Sequence, residues 1–134
     1  MRFVDSNGFV YHMARDPKYS NIATQIIERV EEGEEAVTST LVISQVCSYL
    51  RWKRRDDVIP VFLGFLSSLP NLIKVDTTFI DFIQAREICI KHSLDWKLWD
   101  DLIITAQMKR LKIYEIYSND KDFDSIPGIK RIFK

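Results

Sequence analysis

Cysteine is scarce in this chain, and so is histidine. Cys47 and Cys89 are the two cysteines, they lack C-x-x-C spacing, and both lie in apolar-rich segments. That pattern speaks against a thiolate metal site or a disulfide framework, and the expectation is a reduced, cytoplasmic protein. His12 and His92 are far apart and have no Cys or His companions at zinc-ligand spacing, so both read as structural or surface residues. Net charge is also missing: 19 basic residues balance 19 acidic ones. No global positive field would draw the protein onto a polyanion, so a nucleic-acid partner would have to be held by a local patch. No apolar run is long enough to cross a membrane, and "MRFVDSNGF" lacks the apolar centre of a signal peptide; no membrane partner is expected. There is no internal repeat and no low-complexity tract. The length suits one domain, 1–134, with its own core.

What is present is alternation. "RFVD" (2–5), "AVTS" (36–39), "LIKVD" (72–76), "YEIYS" (114–118) and "IKRIF" (129–133) are short apolar runs that read as strands. Between them the spacing predicts helices. Residues 20–35 have apolar positions 22, 26, 27 and 30, with Ser20 as N-cap and Gly33 as stop. Residues 40–55 follow a cap at Ser39 or Thr40. Residues 56–69 open on two acids and tolerate Pro60 in the first turn. Residues 77–92 have apolar positions 79, 82, 83, 89 and 90, and a last helix starts at Asp100 and Asp101. Continuous apolar strands, rather than period-two ones, favour a parallel sheet covered on both faces by helices.

In such α/β folds ligands bind beyond the carboxyl ends of the strands. Asp5 follows the first strand, Ser39 the second and Asp76 the third; Ser118, Asn119 and Asp120 follow the fourth. The natural convergence is Asp5, Asp120 and either Asp100 or Asp101. Clustered carboxylates repel one another unless a cation lies between them. An all-oxygen set suits Mg²⁺ or Mn²⁺ rather than zinc. Such an ion can activate water against a phosphodiester. The plainer reading, acids at turns and helix caps, stands beside it. "NDKDFD" is not a calcium loop, because it lacks the sixth-position glycine and the later glutamate.

Four segments in order then carry a resemblance. "FVDSNGFVY" resembles the opening strand of PIN domains, "VTSTLVISQV" their second strand and helix, "DLIITAQMKRL" their D-x-I-I helix, and "EIYSNDKDFDSIPGIKRI" their closing T/S-x-D-x-D-F segment. The closest group is the VapC-like toxins of toxin–antitoxin pairs. The resemblance implies a three-layer α/β/α sandwich with a parallel five-stranded sheet. It implies a Mg²⁺- or Mn²⁺-dependent ribonuclease that leaves a 5′-phosphate, acts on an RNA substrate, pairs with an antitoxin protein and forms a homodimer. By the same resemblance the acids fall on Asp5, Asp101 and Asp120, with Asp122 auxiliary. Ser118 takes the hydroxyl position, Asn7 the amide of the opening motif, and Asp100 becomes an N-cap or supporting residue. A helical wheel points nearer Asp100 than Asp101; the family register favours Asp101.

One position departs from the pattern. The family's glutamate falls on Gln45, and no acid lies between Glu35 and Asp56. An amide offers a carbonyl oxygen but neither a negative charge nor a base. Weaker metal binding and slower hydrolysis are therefore expected, and a PIN-fold module that binds RNA or a protein with reduced chemistry is the competing reading. A phosphoryl-accepting receiver domain would need an acid pair after the first strand, where Asp5 stands alone.

"RWKRR" (51–55) has two readings. Arg51, Lys53 and Arg54 could bind RNA phosphates with Trp52 stacked on a base, or simply be a cationic helix end favoured by the helix dipole. Trp96 and Trp99 flank the proposed site and either face a partner or pack inward. "PVFLGFL" (60–66) reads as core, with a share left for a dimer surface.

Overall fold

The computed structural model describes residues 1–134. Five short parallel strands form one sheet: β1 (Arg2–Val4), β2 (Ala36–Ser39), β3 (Leu72–Val75), β4 (Glu115–Tyr117) and β5 (Lys130–Ile132), in the order β3-β2-β1-β4-β5. Six helices flank it: α1 (Ser6–Ala14), α2 (Ser20–Glu31), α3 (Thr40–Trp52), α4 (Val58–Ser67), α5 (Phe79–Lys91) and α6 (Trp99–Arg110). The architecture is the expected three-layer α/β/α sandwich with a parallel five-stranded sheet. Strands buried on both faces need no polar alternation, which is why Phe3, Val4, Ile116 and Tyr117 run consecutively and are all sealed.

Several local expectations change. Helix α1 has no counterpart in the periodicity reading; its first turn is nucleated by Asp5, whose carboxylate accepts the Ser6 N–H. Ser20 does not cap α2. It is the first helical residue, and Asp16 takes the free N–H groups of Lys18 and Tyr19 instead. Gly33 does follow α2, at φ 122°, where a side chain would be strained. Ser39 caps α3 by accepting from Val42 N–H. In α6 every residue from Leu102 to Met108 is buried. That helix has no solvent stripe, so a wheel could not rank Asp100 against Asp101.

The largest correction concerns α5. Of the apolar positions that suggest the helix, only Cys89 is buried and Ile83 half-buried; the others face outward. Asp81, Ala85 and Cys89 face inward, while Phe79, Ile80, Phe82 and Ile90 are exposed. The rotation is set by polar geometry. Asp81 accepts the Thr78 N–H at 2.8 Å and the Arg110 guanidinium at 2.8 and 3.1 Å, which clamps α5 to α6. Burial of Asp81 tends to raise its pKa, but the bonds from Arg110 and Thr78 outweigh it and hold the carboxyl below its usual value.

Candidate functional site

The sheet order reverses between β1 and β4: the chain moves from β1 toward β2 and β3, then crosses to β4 and β5 on the other side. Such a switch point opens a crevice at the carboxyl ends of the strands. Val4 pairs with Tyr117 there, and the next residues on each strand, Asp5 and Ser118, enter the crevice together.

Asp5 is buried and fully engaged. One oxygen accepts from Ser6 N–H; the other accepts the Ser118 hydroxyl at 2.7 Å and the Asn7 amide at 3.5 Å. Desolvation raises its pKa, a shift that the hydrogen bonds from Ser118 and Ser6 only partly offset. Ser118 also accepts from Asp120 N–H (3.0 Å) and from the Asn7 amide (3.2 Å), while Asn7 Oδ1 takes the Asn119 N–H (3.1 Å). Asn7 and Ser118 thus pin the two strand-end loops to each other.

Three further acids meet beyond Asp5. Asp101, from the first turn of α6, and Asp120 and Asp122, from the loop after β4, each bring an oxygen to within 4.8 Å of the others. Asp120 itself is held by accepting Asp122 N–H at 2.9 Å. Asp101 is half-buried, and burial followed by the like charges of Asp120, Asp5, Asp122 and Asp100 pushes its pKa up to about 8. Asp5 contributes to that field without joining the tight group.

Gln45 stands at the rim. Its Nε2 donates to Asp100 at 3.2 Å, whereas its Oε1 is buried and meets no partner. Asp100 lies inside the first turn of α6, one residue past its start, and does not act as an N-cap. A buried acceptor without a donor, next to mutually repelling carboxylates, is a set of oxygens whose repulsion a cation would relieve. All the available atoms are oxygens, which fits a hard divalent ion.

Arg51, Lys53 and Arg54 are exposed at the carboxyl end of α3. None is paired with the clustered acids. Lys53 instead sits over the rings of Trp52 (4.9 Å) and Tyr49 (5.8 Å). Two residues escaped the sequence reading: Tyr11 and Tyr49 line a cavity of about 350 Å³ with Ser6, Asn7 and Gln45. Their signal was the i, i+4 spacing from Asn7 and from Gln45, usable for Tyr11 only once α1 is known to be a helix. A larger groove, about 570 Å³, lies along α5 and α6; it is lined by Lys91, His92, Lys109 and Arg110 and contains none of the clustered acids.

Comparison with known proteins agrees with this frame. A family model described as PIN domain matches residues 2–129. A VapC ribonuclease of Mycobacterium bovis and Ribonuclease VapC13 of Mycobacterium tuberculosis are each 28% identical over 135 residues, covering 98% of this chain and 99% of theirs. Among solved structures, VapC20 of Mycobacterium tuberculosis, described as a sarcin–ricin loop cleaving toxin, superposes with a TM-score of 0.81 at 16% identity and full coverage of both chains. VapBC2 from Rickettsia felis, bound to a promoter DNA fragment, gives 0.74 at 15% identity, covering 98% of this chain and 96% of that one. The strand order, the acids at the switch point and a family match over nearly the whole length lead to one statement: this chain belongs to the PIN domain family.

Proposed function

We propose that the protein is a Mg²⁺- or Mn²⁺-dependent endoribonuclease and the toxin of a toxin–antitoxin pair. The observation that carries this reading is the acid cluster at the switch point, with the unpartnered Gln45 oxygen beside it. Asp101, Asp120 and Asp122 would hold the ion. When bound, it supplies a polarised water and neutralises charge that builds on a phosphodiester. Asp5 completes the negative field from the strand end, and Ser118 and Asn7 hold Asp5 and Asp120 at a fixed separation. Gln45 can accept a hydrogen bond from water but cannot take its proton. The cavity lined by Asn7, Tyr11 and Tyr49 lies near the end of α3, where Trp52 is 6.1 Å from Tyr49 and Arg51, Lys53 and Arg54 are exposed, which would offer aromatic faces for bases and cations for phosphates.

Two partner readings accompany this. An antitoxin is supported by neighbours solved as toxin–antitoxin complexes, including one from Klebsiella pneumoniae with a TM-score of 0.67. A homodimer is supported by the exposed Phe79, Phe82 and Ile90, which lie on one side of α5 as an apolar surface open to water. The attenuated binding module is the second functional reading, and the neutral amide at Gln45 favours it. Incubation of single-stranded RNA with Mn²⁺ separates the two: the wild type is expected to cut and Asp120→Asn to lose about 100-fold or more. Equal rates from both proteins would reject the nuclease assignment.

A further inference from the structure

α6 opens on two consecutive acids, and the structure uses them differently. Asp101 joins Asp120 and Asp122, whereas Asp100 is turned toward α3 and receives the Gln45 amide at 3.2 Å. Asp100 is nonetheless close enough to be one of the like charges felt by Asp101. It is exposed, with no other hydrogen bond, so nothing except Gln45 fixes its carboxylate. Gln45 lies in the second turn of a helix that Ser39 caps and that buries Val42 and Val46 on either side of it, which makes it a rigid anchor. The side chain spends its one donor contact on Asp100 and leaves Oε1 without a partner in a buried position. A carboxylate at residue 45 would place an oxygen, not an N–H, 3.2 Å from Asp100 and would repel it.

We propose that Gln45 is a positioning residue: its amide holds the Asp100 carboxylate at the rim of the acid cluster, so that Asp100 supplies the negative charge that the amide lacks, and Oε1 remains as a neutral oxygen donor. Residues 45 and 100 then form one amide–carboxylate pair, and the centre needs one acid between them, on either helix. Gln45 is in this light half of a matched pair rather than a lost ligand. The inference rests on the metal-dependent reading above and adds a fourth carboxylate that the tight cluster does not include.

The pair predicts a swap. Mn²⁺ affinity is measured by calorimetry, without RNA, for the wild type, Asp100→Asn, the double variant Gln45→Glu/Asp100→Asn, Asp101→Asn and Gln45→Glu/Asp101→Asn, each first shown to be folded by circular dichroism. Asp100→Asn leaves two amides facing each other and is expected to weaken Mn²⁺ binding about tenfold. The swapped double variant restores one amide and one carboxylate, and its affinity is expected to return to within about threefold of the wild type. Gln45 does not touch Asp101, so Gln45→Glu is expected to leave the Asp101→Asn defect largely in place. Unchanged binding in Asp100→Asn, no recovery in the swapped variant, or equal recovery in both double variants overturns the proposal. A wild type that binds no Mn²⁺ overturns the metal-dependent reading and this inference with it; a wild type that binds while the swap fails removes this inference alone.

Discussion

Replacing Asp101 with asparagine should make the metal-free protein more stable at alkaline pH, although it removes a residue of the site. The reason is its burial, together with the crowd of acids around it. An acid whose folded pKa lies above its unfolded value holds its proton in the native state after the unfolded chain has released it. Below pH 4 both states are protonated and Asp101 contributes nothing. From about pH 4 to 8 the unfolded state is increasingly favoured, and above pH 8 the penalty is complete. A rise from 3.8 to about 8 is roughly four units, so at about 1.4 kcal/mol per unit the ceiling is about 6 kcal/mol. Asp101 is only half-buried and its neighbours can turn toward water, so the expected gain for Asp101→Asn is about 1–3 kcal/mol at pH 8.5 and near zero at pH 4. Urea unfolding in EDTA at the two pH values measures it. Added Mn²⁺ should reverse the order, because the ion stabilises the wild type by its own binding. A variant no more stable than wild type at pH 8.5, or equally stabilised at both pH values, would refute the claim that burial and like-charge crowding hold the proton on Asp101.

Three other variants have expected outcomes. Arg110→Met leaves Asp81 buried without its cation and should cost about 2–3 kcal/mol in urea unfolding, less than a fully sealed pair because Arg110 is partly exposed. In the wild type Asp81 has a depressed pKa, so its stabilisation is present above the unfolded value and is lost as pH falls through the folded one; Arg110→Met should flatten that acid limb. Trp52→Ala, made in the Asp120→Asn background so that RNA is not cut, should lower affinity for a short single strand about tenfold, the loss of one stacked base, as read by fluorescence anisotropy. Phe79→Glu should convert a homodimer to a folded monomer in light scattering, because Phe79 is 75% exposed and supports no core contact.

The polar clamp between Asp81 and Arg110 also bears on the site. It ties the first turn of α5 to the last turn of α6, the helix that carries Asp100 and Asp101 at its other end. Seven consecutive buried residues keep that helix from rotating. The acids therefore approach one another on a rigid frame, and their repulsion cannot be relieved by helix movement. Relief is left to side chains turning toward water, to protonation, as at Asp101, or to a cation.

The sequence alone determined the alternation of strands and helices, because short apolar runs and 3.6-residue spacing are local signals. It also determined which acids end the strands: Asp5 and Asp120 sit where a parallel sheet delivers side chains to one edge, whatever the details of packing. Gln45, in the second turn of α3, stood out only through the family resemblance, which sets a glutamate there. What the chain could not disclose was decided between elements. The rotation of α5 depends on an ion pair with a residue 29 positions away, so spacing alone could not show that Phe79, Phe82 and Ile90 would face outward. Helix α1 was hidden because its start is formed by a carboxylate that also belongs to the site. The separate fates of Asp100 and Asp101 could not be read from two identical neighbours. One turns to an amide on α3 and the other to acids beyond β4, and only the packing of α6 between those segments sets which goes where.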